Sequence, residues 1–240
     1  MAGAKQKGNQ AITPAVFSFL KSLKKNNDRD WFNAHKKEYL EQYAGIEMFA
    51  GQLLNELNKH DVIETPSGKK SLHRIYRDVR FSKDKSPYHS HFGGSFSRAT
   101  RARRGSYYFH LEPGNTFVAG GFWGPNPEDM KRIRDEFAFD GSRMKKILDE
   151  KNFRKTFGSL KGDQLKTAPR GYDADSQYID LLRYKQFLLI KKFSDKEALS
   201  PDFHITLSNT FKHMRPFLDY MSEVLTTDIN GESLIGPRLR

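Results

Sequence analysis

The chain has no cysteine among its 240 residues. Disulfides, thiolate metal sites and cysteine nucleophiles are therefore excluded. No apolar run approaches the roughly 20 residues that a helical membrane span requires, so no membrane partner is expected. The N-terminal MAGAKQKGNQ carries no apolar stretch behind its charges and does not read as a secretory signal; the expected location is cytoplasmic. Also missing are a Walker A run, a GxSxG elbow, a GxGxxG opening a helix and zinc-type ligand spacing. P-loop nucleotide hydrolysis, serine-hydrolase chemistry and Rossmann-type cofactors are disfavoured on that ground. Hydrophobic residues are sparse at 37%, but 19 Phe, 10 Tyr and 2 Trp make up for much of the deficit. Each such ring can bury on the order of 150–250 Å².

Acidic residues are in deficit too. The 29 Asp and Glu face 41 Lys and Arg, for a net charge of +12. A field of that sign attracts nucleic acid, nucleotides and phosphorylated metabolites, although charge alone governs encounter and solubility and not fold.

Residues 1–12 are small and polar and are expected to form a flexible tail. Thr13-Pro14 reads as an N-cap and first helical residue, opening a helix that ends near Lys25. A second, long helix is expected from about Arg29 to Asn58, capped by Asp28, with Gly45 as a possible break; Ile46, Phe49, Leu53 and Leu57 form its apolar stripe. Strand-forming residues dominate from Leu72 to Arg98. SYYFHLE (106–112) and TFVAGGFW (116–123) flank Pro113-Gly114-Asn115 and read as a β-hairpin. Helical patterns return over Glu128–Phe137 and Ser142–Lys151, an irregular stretch follows over Asn152–Tyr172, and Gln177–Leu182 reads as a short helix. Tyr184–Phe193 reads as a strand rejoining the sheet. A long final helix opens at Ser200-Pro201 and carries Phe203, Leu207, Phe211, Met214, Leu218, Met221 and Leu225 on one side. Helices flanking a run of strands predict an α+β fold, with an antiparallel sheet packed on long N- and C-terminal helices. One domain over residues 13–227 is expected, followed by a C-terminal tail, 228–240.

The densest charge lies in Arg77–Tyr88, RDVRFSKDKSPY. At this segment the chain resembles the DUF2461 family. Further similarity lies in FLKSLKKNNDRDWF, in Gly-Gly-Phe-Trp (120–123), in Pro169-Arg170-Gly171-Tyr172 and in Leu182-Arg183-Tyr184-Lys185. The resemblance implies a bacterial-type α+β protein and supplies no cofactor and no catalytic residue. One departure is His89, where the family pattern continues with Lys.

Within the segment, Arg77, Arg80, Lys83 and Lys85 are expected to converge on a phosphate or carboxylate. Arg supplies a bidentate fork and Lys a point charge. Asp78 is the candidate acid/base, Asp84 and Tyr88 complete the set, and strand alternation would pair Asp78 with Arg80. Arg134, Arg183 and Lys185 are candidates to close over the same anion. The leading expectation is a pocket for an anionic, phosphate-bearing small molecule or nucleotide. The alternative is a nucleic-acid-binding module in which Arg98, Arg101, Arg103 and Arg104 meet phosphates and Tyr107, Tyr108 and Phe109 stack on bases. A third reading is an internal ion-pair network with a purely structural role. His89, His91, His110 and Glu112 could approach one another across a sheet, but no HExxH pattern accompanies them, and no metal site is expected.

Overall fold

The computed structural model describes residues 12–99, 101–228 and 231–235. Most of both expected tails lies outside these residues. Ile12, assigned above to the first tail, is buried in the core.

Thr13 and Pro14 open α1 (Pro14–Lys25), although the Thr13 hydroxyl makes no capping bond. Asp28 caps α2 (Arg29–Ala34) by accepting from the Trp31 backbone N–H at 2.8 Å. The expected long second helix is divided, and not at Gly45. It breaks at His35, whose ring is 2.7 Å from the Trp31 carbonyl and stacks on the Trp31 indole, with centroids 4.0 Å apart. Gly45 lies inside α3 (Lys36–Leu57). A single turn, α4 (Gly68–Ser71), follows.

The sheet is a four-stranded antiparallel meander in the order β1 (Phe92–Ser97), β2 (Ser106–Leu111), β3 (Thr116–Phe122) and β4 (Phe187–Phe193). Between β3 and β4 lie α5 (Pro127–Asp140), α6 (Ser142–Asp149), α7 (Lys151–Phe157) and α8 (Ile179–Leu182). The helix α7 falls partly in the stretch read as irregular. It separates from α6 at Glu150, which leaves helical geometry and caps α7 through its carboxylate. After β4 come the short α9 (Asp195–Ala198) and the long α10 (Phe203–Thr226). The α+β architecture read from the sequence is thus the observed one.

Period-two alternation divides the sheet into two unlike faces. The inner face packs on α3 and α10: Phe109 meets Phe49 edge-on at 5.6 Å, Tyr107 meets Phe211 at 4.8 Å, and Phe122 meets Phe217 at 6.1 Å. Burying each such ring contributes about 1.5–3 kcal/mol. The outer face is set by three register rows. Ser95, Tyr108, Ala119 and Ile190 form the middle row across all four strands, flanked by Gly93–His110–Phe117–Lys192 and Ser97–Ser106–Gly121–Leu188. Gly121 has φ +128°, and a Cβ there would collide with the Phe187 carbonyl, so β3 and β4 approach this closely only with glycine at that position.

The strand expected over Leu72–Arg98 is confined to its last third. Residues 72–77 and 87–91 instead form the two legs of an irregular arm projecting from the edge of β1. The legs meet through the His89 N–H to Ile75 carbonyl bond (2.8 Å) and the Arg77 N–H to Pro87 carbonyl bond (2.9 Å). The Asn27 side chain clamps the arm by bonding both backbone groups of Tyr88, and the Tyr88 ring stacks on Phe32 at 4.0 Å.

Candidate functional site

The arm carries the charged segment, and three of its cations, Arg77, Arg80 and Lys85, find partners within it. Arg77 donates to the Asp84 carboxylate at 2.5 Å and to the Ser86 carbonyl at 3.1 Å. Arg80 forms a forked pair with Asp78, whose carboxylate also accepts the Arg80 backbone N–H. The expected Asp78–Arg80 pair therefore exists, but as a tight local turn and not through strand alternation. Lys85 donates to the Val79 carbonyl at 3.0 Å. Of the segment's rings, Tyr88 is buried, whereas Phe81 is 96% exposed and contributes nothing to the core.

The four cations expected to converge on one anion have these surroundings. Two of the four face carboxylates of their own loop, a third faces carbonyls, and Lys83 is exposed. Arg77 also borders a hollow of about 280 Å³ with Arg29, Asn33 and Tyr76. Hydrogen bonds from Arg80 hold the Asp78 carboxyl below the usual range, which disfavours it as a proton shuttle near neutral pH. Arg134 and Arg183 do not close over the arm. Arg134 donates to the Leu182 and Tyr184 carbonyls, and Arg183 to those of Leu165 and Lys166, so both tie loops of the helical insertion together. Lys185 is exposed in that insertion.

The basic loop between β1 and β2 also carries ion pairs. Arg98 is not at a solvated tip: its side chain is fully buried and paired with Asp61 at 2.7 Å and with Asp219. Arg103 pairs with the other Asp61 oxygen at 2.6 Å, and Arg104 with Asp129. Only Arg101 of the four is exposed without such a pairing among the described residues. Of the rings proposed for base stacking, Tyr107 and Phe109 point into the core. The nucleic-acid alternative thus loses three of its four cations to internal carboxylates.

The cavity with a coherent chemical lining lies on the outer face of the sheet. A groove of about 620 Å³ runs over its middle row. Ser95, Ser106, Ala119 and Gly121 form a floor of small residues. Phe117, Tyr108, Leu188 and Ile190 wall it, and Trp123, 72% exposed, stands at the rim. At one end His73 bonds Ser95 Oγ at 2.9 Å, with its ring 5.6 Å from that of Tyr108.

Behind Tyr108 lies a series of polar groups. The Tyr108 hydroxyl is 2.9 Å from His110 Nδ1, and His110 Nε2 is 3.3 Å from Glu112 Oε2. Burial raises the Glu112 pKa, but hydrogen bonds from Asn115, Lys24 and His110 outweigh it and hold the group at about 2. As an ionised carboxylate it only accepts, so His110 carries its proton on Nε2. Nδ1 is then an acceptor, to which the Tyr108 hydroxyl donates. Burial pushes Tyr108 up to about 12 and keeps it a phenol, and burial likewise lowers His110. The His91 ring lies tilted against that of His110 with centroids 4.0 Å apart, and His89 approaches His91 at 4.9 Å. His89, His91, His110 and Glu112 are the set weighed above for a metal. Among the described residues no group of three or more His, Asp or Glu is arranged to hold one.

Sequence reasoning brought His110 and Glu112 together with His89 and His91 but assigned Tyr108 to base stacking and did not join it to them. It missed Phe117, Ala119 and Ile190, which look like ordinary strand residues. The signal that could have found them is the hairpin register, which sets Tyr108 opposite Ala119.

The sequence profile of the DUF2461 family, described as a conserved hypothetical protein, matches residues 15–220. No curated protein and no solved structure matches the chain.

Proposed function

The chain belongs to the DUF2461 family, whose description assigns no activity, and from its own geometry we propose that it binds a small molecule on the outer face of its sheet. The ligand has a planar, largely apolar body and an acidic group. One observation carries this reading: the groove of about 620 Å³ has aromatic walls over a floor of small residues. That volume falls in the range of about 300–1,000 Å³ typical of ligand clefts. An acidic group is favoured by the +12 net charge and by Arg74, an exposed cation next in sequence to His73 at the groove's polar end.

Titration with 1-anilinonaphthalene-8-sulfonate, an aromatic anion, tests this reading through probe emission and melting temperature. Saturable binding that raises the melting temperature is expected. Ala119→Phe places a ring in the middle of the floor without touching the core and is expected to weaken binding by about tenfold or more, a loss of about 1.4 kcal/mol. Binding left unchanged by Ala119→Phe would contradict the proposal.

A further inference from the structure

We infer that Tyr108, His110 and Glu112 form a proton relay that takes the proton from an acidic ring hydroxyl, phenol- or enol-like, on a ligand lying in the groove. The inference rests on the outer face being a ligand site, and it adds the chemistry performed there.

Geometry supplies the argument. Tyr108 is the one ionisable hydroxyl among the aromatic walls of the groove. Its proton is already committed to His110 Nδ1 at 2.9 Å, so its remaining lone pairs are acceptors for a ligand. His110 is sandwiched between Phe117, stacked at 4.5 Å, and His91 at 4.0 Å, which fixes the ring plane. Its far nitrogen faces Glu112 at 3.3 Å, and Glu112 is itself held by Lys24 at 3.0 Å and Asn115 at 3.1 Å. Acceptor, base and orienting carboxylate therefore follow one another in hydrogen-bond contact, which is the arrangement general-base catalysis requires.

The step balances without a further reactant. The ligand O–H bond breaks as its proton passes to Tyr108 Oη. The hydroxyl proton of Tyr108 passes to His110 Nδ1 in the same movement. The products are a ligand oxyanion, a neutral Tyr108 and an imidazolium whose charge is met by Glu112. The planar walls favour a ligand whose oxyanion is delocalised into a ring. Tyr108 is the catalytic residue of this step; Glu112 is a positioning residue that fixes the tautomer of His110.

The test uses 4-nitrophenol, whose phenolate is coloured, and 4-nitroanisole, which has no acidic hydroxyl. Both are expected to bind the groove. Bound 4-nitrophenol is expected to ionise at a pH lower than free probe by at least about one unit, a tenfold change in its ionisation constant. Tyr108→Phe, with circular dichroism matching the parent, is expected to abolish that shift, and 4-nitroanisole titrated alongside reports how far groove binding itself has changed. Glu112→Gln leaves Tyr108 in place and serves as the second variant; it is expected to remove at least half of the shift. Binding of both probes with no shift, or a shift that survives Tyr108→Phe, would overturn the relay and leave the groove standing. Failure of both probes to bind would remove the groove reading and the relay with it.

Discussion

Asp61→Ala is expected to lower the free energy of unfolding by about 3–5 kcal/mol, the usual cost of breaking a buried ion pair by removing one partner. Asp61 follows the end of α3, and its side chain is fully buried. It accepts from Arg98 Nε at 2.7 Å, from Arg103 at 2.6 Å, from the Tyr107 hydroxyl at 2.7 Å and from the Val62 backbone N–H at 2.8 Å. Burial raises the Asp61 pKa, but the bonds from Tyr107 and Arg98 prevail and bring it to about 2. The network ties three remote parts of the chain together, because Arg98 also donates to Ser222 of α10 and to the Arg104 carbonyl. Removing the carboxylate leaves the buried Arg98 guanidinium with Asp219 as its one charged partner among the described residues and leaves the buried Tyr107 hydroxyl without its acceptor. In a chain of this size the loss corresponds to a fall in melting temperature of very roughly 6–20 °C. Urea unfolding followed by circular dichroism measures it. A change below about 1 kcal/mol would show that the network is dispensable and would reopen the loop of Arg98, Arg103 and Arg104 to an external role.

The second large effect is acid lability beginning well above the carboxylate range. His91 is held neutral at about 3, first by burial and then by His110 and His89, with Glu112 opposing. His110, His89 and His73 are lowered too, each chiefly by burial. Arg74 and Arg77 add to the shift of His89. A group whose folded pKa lies below its unfolded value binds more protons when unfolded. Its contribution is complete above the unfolded value near 6.5 and is lost as pH falls toward the folded one. For His91 alone the linked loss between pH 6.5 and 3 is at most about 5 kcal/mol. The carboxylates of Asp61 and Glu112, both at about 2, add their own loss only below roughly pH 4.5. Melting temperature measured from pH 7.5 to 4.5 therefore isolates the histidines, and a continuous fall is expected. His91→Phe keeps a ring beside His110 and is expected to flatten that fall. A melting temperature constant over this interval, or a slope unchanged in His91→Phe, would contradict the assignment.

The sequence made some of this legible and hid the rest for identifiable reasons. Helices α1 and α10 and the β2–β3 hairpin stood out because their apolar periods are long and their turn and cap residues are local. The arm was not legible. It is held by contacts of long separation, Asn27 to Tyr88 and Phe32 to Tyr88, that no local propensity encodes. Its charge density suggested an external anion, yet Asp78 and Asp84 lie within a few residues of Arg80 and Arg77 and fold back onto them. Distant partners such as Asp61 and Asp219 likewise turned an apparently solvated Arg98 into a buried one. The groove was hidden by composition. Tyr107, Tyr108 and Phe109 are consecutive aromatics, so the alternation that sends only Tyr108 outward is invisible until the register is known. The family match adds no site, so each functional residue named here stands on geometry alone.

The most direct measurement is backbone amide NMR of the full chain titrated with 1-anilinonaphthalene-8-sulfonate. The expected result is a saturable set of shifts centred on Ser95, Tyr108, Ala119 and Ile190, the row that crosses all four strands, with Phe117 and the Trp123 indole moving along with it. Shifts confined to the arm, around Arg77 and Arg80, or scattered without saturation would contradict a ligand site on the outer face of the sheet.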